Sequence, residues 1–230
     1  MAADELPPDN DQELDSPPAK ERNPPNSESF IFHGAMFELG LVGLALMLGW
    51  LGLRDPDQSL VRFTFQEVVG PALLWGTLGT IPLLAYLYVV ERIPLGVFKE
   101  ISNVTEASIR PMFATASFAD LVLISLLAGL SEELLFRWSI QGGLAYWIDG
   151  TAGVWIGLVA ASLLFGVCHF LNWAYAIVTF FVGLYFGWMM IWTGTWMAPA
   201  ISHALFDLIA LCVITERIPI FGSDEKKDGE

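Results

Sequence analysis

Apolar residues follow one another in runs long enough to cross a lipid bilayer, and short polar stretches separate these runs. A hydrocarbon core of roughly 30 Å requires about 20 residues of helix, and six runs approach or exceed that length. They cover residues 34–53, 68–90, 118–140, 153–170, 174–192 and 198–214. The pattern predicts an all-α protein, a polytopic membrane helix bundle of about six transmembrane helices. Further spans hidden in the polar segment 91–116, where 105–108 could form a short interfacial helix, would raise the number to seven or eight.

The fourth and fifth runs are separated only by residues 171–173, so these two helices must form an antiparallel hairpin. Small residues recur where the helices of the second half would meet, which in membrane bundles usually indicates close backbone approach. These residues are Gly157, Ala160, Ala161, Gly166, Gly183 and Gly187. We therefore predict a packing role for them.

The ends of the chain differ in composition from the rest. Residues 1–29 are rich in Pro, Asp, Glu and Asn, a composition that cannot bury enough apolar surface to fold. The sequence predicts a disordered acidic tail over 1–29, a membrane-embedded domain over 30–217 with a core at 118–215, and a polar C-terminal tail over 218–230. Much of the net charge of −14 falls in these tails, while 54% of all residues are hydrophobic.

The distribution of Lys and Arg predicts the orientation. Six spans place both termini on one side of the membrane, and that side would hold eight basic residues against two on the other. Basic residues favour the cytoplasmic side, so we expect an integral protein of the cell (inner) membrane with both termini in the cytoplasm. The chain has no basic patch interleaved with aromatic residues, which argues against a nucleic-acid partner and leaves the lipid bilayer as its surroundings.

Three ionisable residues lie close together within the stretch 130–138 of the third apolar run: Glu132, Glu133 and Arg137. Charge inside a membrane is costly and by default marks a functional site. Glu133 and Arg137 are four residues apart, acid before base, which favours an ion pair on one helix face. Glu132 is rotated by about 100° from Glu133, since a turn holds about 3.6 residues, and has no local counter-ion. We predict that Glu132 is a general base.

Two histidines and one aspartate supply further polar groups: His169, His203 and Asp207. The stretch 150–206 contains no Asp, Glu, Lys or Arg. His203 and Asp207 are four residues apart and share a face of the last helix. Because isolated polar groups are costly in a membrane, we expect these three side chains and Glu132 to converge on one wet cavity inside the bundle. A carboxylate and an imidazole there could deprotonate a water while a second imidazole donates to an oxyanion, which suggests amide hydrolysis.

At these residues the chain resembles the CPBP intramembrane proteases, a family that includes type 2 CAAX prenyl endopeptidases and bacteriocin-processing or immunity proteins. The family motifs are Glu-Glu-x-x-x-Arg, Phe-x-x-x-His, and His-x-x-x-Asn or a similar polar residue, each on its own membrane helix. The chain carries, in the same order, Glu132-Glu133 with Arg137, Phe165 with His169, and His203 with Asp207. The matching part is about residues 120–215.

The resemblance implies a glutamate-dependent endopeptidase acting on a peptide or a membrane-tethered protein. Glu132 and His169 would activate water, and His203 with the residue one turn beyond it would stabilise the oxyanion. That residue is Asp207 where the family more commonly has Asn. An ionised aspartate cannot donate a hydrogen bond. Asp207 is therefore protonated, or it orients His203, or His203 acts alone.

Two expectations concern depth in the membrane. The predicted bounds place Glu132 slightly beyond the middle of its helix and His169 near the inner end of the next, roughly 10 Å apart at about 1.5 Å per residue. A shared site then needs tilted helices or bounds that differ by one turn. Glu38 lies near the predicted start of the first span, and we expect it to reach the interface by snorkelling.

Other functions remain open on the sequence alone. Two histidines and a carboxylate form a familiar zinc set, so Glu132, His169 and His203 would be the ligands of a zinc-dependent protease, although His-Glu-x-x-His is absent from the sequence. We expect no cofactor. A thiol nucleophile at Cys168 is disfavoured, because adjacent helix positions diverge and would separate it from His169. A protein of a different class, a non-catalytic immunity or scaffolding protein of the same fold, is the further alternative.

Overall fold

The structure is a computed structural model that describes residues 27–51, 69–93 and 95–218. Within these ranges every regular element is helical, which confirms the all-α prediction. The helices are α1 (Ser27–Trp50), α2 (Gly70–Arg92), α3 (Gly96–Val104), α4 (Arg110–Phe113), α5 (Phe118–Glu133), α6 (Gly142–Ile148), α7 (Gly150–Cys168), α8 (Trp173–Thr193) and α9 (Met197–Ile214). Two π-helical segments, Thr105–Ile109 and Leu134–Gln141, continue α3 into α4 and α5 into α6.

Five of the described helices are long and apolar enough to cross a membrane. They are Ser29–Trp50, Gly70–Arg92, Gly150–Cys168, Trp173–Thr193 and Met197–Ile214. A sixth crossing results if the bent pair Gly96–Phe113 and Phe118–Ile148, which meet at 115°, forms one span. The predicted polytopic bundle is confirmed, with bounds that differ by several residues. The predicted short interfacial helix at 105–108 is part of the longer helical stretch 96–113.

Several predictions concern segments outside the described residues. The N-terminal tail, 1–29, lies there except for its last three residues, which begin α1. The C-terminal tail, 218–230, lies there except for Ile218. Six of the ten basic residues that indicated the orientation also fall outside the described ranges, so the orientation stays a prediction.

A glycine allows α9 to pack closely against α5. A Cβ atom at Gly129 would lie 2.7 Å from the carbonyl oxygen of Ala200 and 2.7 Å from the amide nitrogen of Ala204. These contacts are shorter than side chains tolerate, so the two backbones touch here because residue 129 has no side chain. One turn further along α5 lies Glu133, and the neighbour of Ala204 on α9 is His203. The close approach therefore positions these two side chains.

The hairpin of α7 and α8 forms as predicted, and glycines line it. A Cβ at Gly166 would lie 2.8 Å from the carbonyl oxygen of Ala176, and one at Gly183 would lie 3.2 Å from Cα of Ser162. Gly157 similarly admits the carbonyl oxygen of Gln141, 2.5 Å from its Cβ position. These contacts confirm close packing at three of the predicted small residues.

Helix α1 covers α5 and the π-helical segment that follows it. Ala45 is fully buried in an apolar cluster, and Leu41 and Val42 pack against the same cluster from one helix face. The other buried members are Leu134, Leu135, Phe136, Trp138 and Phe165. Glu38 lies one turn before Val42, so this packed face of α1 includes a carboxyl group.

Substitution of Gly129 by Ala tests the contact of α5 with α9. The new methyl group would meet two backbone atoms of α9, so we expect the free energy of unfolding to fall by about 1–3 kcal/mol, as in other overpacked interiors. The measurement is equilibrium unfolding of the purified protein in detergent. Gly43→Ala on α1 is the matched control, because no atom lies within 4 Å of its Cβ position and Ala favours helix over Gly. Equal stability of the two variants would contradict the close approach.

Candidate active site

Glu133 is a fully buried carboxylate that uses both of its oxygens. Its Oε2 accepts a hydrogen bond from Arg137 Nε at 2.7 Å, and its Oε1 lies 3.1 Å from His203 Nδ1. Neither Glu133 nor Arg137 has any exposed side-chain surface. The predicted ion pair between positions 133 and 137 is therefore present. The contact with His203 extends it from the helix of α5 to α9.

His203 lies between two carboxylates. Its Nε2 is 3.4 Å from Asp207 Oδ2, while Nδ1 faces Glu133. The ring stacks on Phe186 with centroids 5.0 Å apart and meets Phe165 edge-on at 5.9 Å. A protonated imidazole in this position donates from both nitrogens. The two aromatic rings and two acids leave the imidazole with one fixed orientation.

Arg137 donates its hydrogen bond to Glu133 from Nε, and its two terminal nitrogens have other surroundings. Its Cζ lies over the ring of Phe165 at 4.9 Å and near that of Phe186 at 6.0 Å. Within the described residues neither terminal nitrogen makes a hydrogen bond. Aromatic faces attract a guanidinium electrostatically, so the two phenylalanines supply much of the cation's surroundings.

His169 follows the last residue of α7 and caps that helix. Its Nδ1 lies 2.8 Å from the carbonyl oxygen of Phe165. A carbonyl oxygen can only accept, so Nδ1 carries the hydrogen and Nε2 is the free nitrogen of the neutral ring. That nitrogen lies 3.5 Å from Glu132 Oε2. The local helix end therefore selects the tautomer that presents a basic nitrogen to Glu132.

Glu132 is nearly buried, with 9% of its surface exposed, and its partner His169 is more open, with 27% of its side chain exposed. Among the described residues no group donates a hydrogen bond to Glu132 Oε2. The exposed part of the pair is therefore on His169, while Glu132 Oε2 is buried and retains the capacity to accept a hydrogen bond.

The predicted depth difference between Glu132 and His169 is wrong. Residues 141–151, which lie between the third and fourth apolar runs, extend the helix to Ile148, and α7 begins at Gly150. Counted from the turn at Asp149, Glu132 lies 17 residues back and His169 lies 20 residues on. The two antiparallel helices therefore bring both residues to nearly the same depth. The four predicted catalytic residues form two pairs whose members contact each other, Glu132 with His169 and His203 with Asp207.

Glu38 does not reach the membrane interface, contrary to our expectation. Only 7% of its surface is exposed, and the hydroxyl of Ser131 donates a hydrogen bond to its Oε2. The physical reason is the start of α1 at Ser27, well before residue 34. Glu38 therefore lies near the middle of its helix and too far from either end to snorkel.

The sequence also raised a thiol nucleophile at Cys168 and a zinc site as alternatives, and the structure describes the residues of both. Cys168 is exposed, and the Nε2 atom of its neighbour His169 faces Glu132. Among the residues described, no three His, Cys, Asp or Glu side chains have the geometry to hold a metal ion. His203 is engaged by Glu133 and Asp207 and not by Glu132. The absence of a cofactor stays a prediction.

Sequence reasoning missed several residues of the site. Glu38 gave a signal, a carboxyl within a run of spanning length, which the misplaced helix start obscured. Ser131 and Gly129 precede the acidic pair by one and three residues, but nothing in the pattern distinguished them from packing residues. Phe186 is one of many aromatic residues in its helix, and its position under His203 had no sequence signal.

Replacing Arg137 by Met tests the buried ion pair. The change keeps much of the apolar volume but leaves Glu133 without its cation, so we expect the free energy of unfolding to fall by about 3–5 kcal/mol. Equilibrium unfolding in detergent measures the loss. The control is Arg110→Met, which removes a partly exposed arginine paired with Glu106 and Glu216 and should change stability little. If the free energy of unfolding fell by the same amount in both variants, the buried ion pair would contribute no more to stability than the exposed one.

Comparison with known proteins shows which family this part of the chain is similar to. Residues 114–209 match the family described as type II CAAX prenyl endopeptidase Rce1-like. An uncharacterized protein of Bacillus subtilis (strain 168), YpbD, is 29% identical over 108 residues, which are 46% of this chain and 51% of the relative. The chain thus spans about half the length of this relative. No solved structure matches the chain significantly. The apolar helices and the family match indicate an integral membrane protein, and the segment 114–209, which holds every predicted site residue, is similar to the type II CAAX prenyl endopeptidase Rce1-like family.

Proposed function

We propose that the protein is an intramembrane endopeptidase that hydrolyses a peptide bond at or near the membrane surface through a water activated by Glu132 and His169. The observation that carries this proposal is the 3.5 Å separation of Glu132 Oε2 and His169 Nε2. Both atoms are acceptors when the carboxylate is ionised and the ring is neutral. Two facing acceptors are best reconciled by a water that donates a hydrogen bond to each.

Attack on the substrate follows from this arrangement. The water oxygen bonds to the carbonyl carbon of the scissile amide while Glu132 takes a proton from the water. The carbonyl becomes a tetrahedral oxyanion. The C–N bond then breaks, and the leaving nitrogen takes up the proton held by Glu132. Glu132 thus acts first as the general base and then as the general acid.

His203 is the donor for the oxyanion in this mechanism. A preorganised donor contributes most when it needs no rearrangement during the reaction, and the ring is already fixed by Phe186, Glu133 and Asp207. Asp207, in contact with Nε2, orients the imidazole in the resting site. The substrate carbonyl oxygen takes the place of Asp207 at Nε2–H when the substrate binds, so the donor is in position before the oxyanion forms.

The substrate is a peptide or a membrane-tethered protein. The pair Glu132 and His169 lies inside the helix bundle and is partly exposed, so a peptide must reach it from the surface near the end of α7. The family match supports a protease of the CAAX type at this coarse level. We place the protein in the cell membrane, with both termini in the cytoplasm, on the balance of basic residues alone.

The variant Glu132→Gln tests the proposal. Glutamine keeps the size of the side chain but cannot take a proton, so we expect kcat to fall by about 10²- to 10⁴-fold, the usual contribution of a general base. The measurement is product formation from a peptide library by the full-length purified protein in detergent or vesicles. Equal product from the variant and the unmodified protein would remove Glu132 from the mechanism.

Two controls accompany this experiment. Glu100→Gln makes the same chemical change at an exposed carboxylate on α3 and should leave kcat unchanged. Stringent chelation should also leave it unchanged. Loss of activity on chelation with recovery on adding zinc would favour the zinc-dependent alternative. The absence of cleavage by the unmodified protein under all conditions would favour a non-catalytic binding role.

Asp207→Asn tests how position 207 contributes. The amide oxygen of Asn can still accept a hydrogen bond from His203, and its NH₂ group can donate to an oxyanion. If Asp207 acts by orienting His203, the variant retains kcat within about tenfold, whereas Asp207→Leu loses both functions and drops further. Comparison of kcat for the two variants provides the measurement. Complete inactivity of Asp207→Asn would show that the aspartate's own proton or charge is required.

A further inference from the structure

Glu38 is a buried carboxyl group that has no role in the mechanism proposed above. It lies near the middle of α1 with 7% of its surface exposed. It also lies outside residues 114–209, so the family match does not include it. An ionisable group in the middle of a membrane helix is costly and by default functional. Its contacts indicate what it does.

The first contact ties Glu38 to the acidic pair. The hydroxyl of Ser131, which has no exposed surface, donates a hydrogen bond to Glu38 Oε2. Ser131 directly precedes Glu132 in α5. The hydrogen bond therefore holds the turn of α5 that carries Glu132 against α1.

The second contact is electrostatic. Glu38 Oε2 is one hydrogen bond from Ser131, and Ser131 lies one position before Glu132 and two before Glu133. Glu133 contacts His203, which contacts Asp207 on α9. Arg137, the cation of the π-helical segment, is engaged by Glu133. Four carboxyl groups thus lie close to one guanidinium and two imidazoles within the described part of the site, and like charges placed so close together repel one another.

We propose that Glu38 is a positioning residue of the active site: it anchors the Glu132 turn through Ser131 and, as the fourth carboxyl, sets how protons are distributed between Glu132 and the His203–Asp207 pair. This inference rests on the proposed hydrolytic function for its kinetic consequences. Its electrostatic part holds for the folded protein whether or not a substrate is cleaved. The positioning residue acts through Ser131 and Glu132 and does not touch the substrate.

The variant Glu38→Gln separates charge from packing. Glutamine keeps the volume and an oxygen that accepts from Ser131, so the helices stay packed while one ionisable group is lost. We expect kcat to fall by about 10- to 100-fold, as for outer partners of other sites, with KM unchanged. The acid limb of the pH–rate profile should be displaced along the pH axis. Glu38→Asp, which retains the charge, should recover part of the loss, and Glu100→Gln should match the unmodified protein in both kcat and profile.

Histidine titration by NMR provides a readout that needs no substrate. The chain has three histidines, and His33, which is exposed on α1, serves as an internal reference. In Glu38→Gln the titration midpoint of His203 should move, since an ionisable group is removed from its surroundings. The ring signals of His33 should match those of the unmodified protein.

The two readouts distinguish the possible failures. If the unmodified protein cleaves nothing, the proposed function fails, and the movement of the His203 midpoint alone decides the role of Glu38. An unchanged His203 midpoint in a folded Glu38→Gln protein overturns the inference, whatever its activity. A displaced midpoint with unchanged kcat and pH–rate profile also overturns it, because the charge would then have no part in the reaction. Ser131→Ala, which removes only the anchor, should lower kcat without moving the midpoint, and full activity in that variant would overturn the anchoring role.

Discussion

The burial of one carboxylate, Glu133, is the constraint on which the site depends. A charge removed from water is tolerated only when its partners are close and well oriented, and Glu133 obtains Arg137 on one oxygen and His203 on the other. These two partners belong to different parts of the bundle. The ionic contact therefore fixes the rotation of α9 about its axis relative to α5. Every other feature of the site, from the stacking of Phe186 to the position of Asp207, follows that rotation.

Such a network requires helices that approach more closely than ordinary side chains allow. Gly129 lets the backbones of α5 and α9 touch, and Gly157 admits the carbonyl of Gln141. In lipid no hydrophobic force brings helices together, so close packing and polar contacts supply the association. The glycines and the charged residues thus depend on one another. Without the glycines, Glu133 and His203 would lie too far apart to interact. Without that interaction, the rotation of each helix about its axis would be less tightly fixed.

Contacts within one helix were predictable from residue spacing, whereas contacts between helices were expected only where the family resemblance implied them, as for Glu132 with His169. The pairs Glu133 with Arg137 and His203 with Asp207 follow from a spacing of four residues, which any helix converts into proximity. The contact of Glu133 with His203 depends on the rotation of two helices that are 70 positions apart in the chain. The predicted bounds of the helices were also wrong in two places. Residues 142–148 contain two glycines and two aromatic residues suited to a membrane interface, and the pattern favoured a loop where α6 forms. An early start of α1 moved Glu38 from a predicted interface to the interior.

The π-helical segment Leu134–Gln141 separates the acidic pair from the contacts made by α6. A π-helix closes its hydrogen bonds over five residues, so each turn holds more residues than a turn of α-helix. At the end of the segment, Gln141 donates to the carbonyl oxygen of Gly187 on α8 at 3.0 Å. Loss of a single residue between these points would turn everything downstream by about 100° and swing Gln141 away from its acceptor. The number of residues in this stretch is consequently more restricted than their identity, and natural relatives that keep both ends should tolerate substitutions there far better than insertions or deletions.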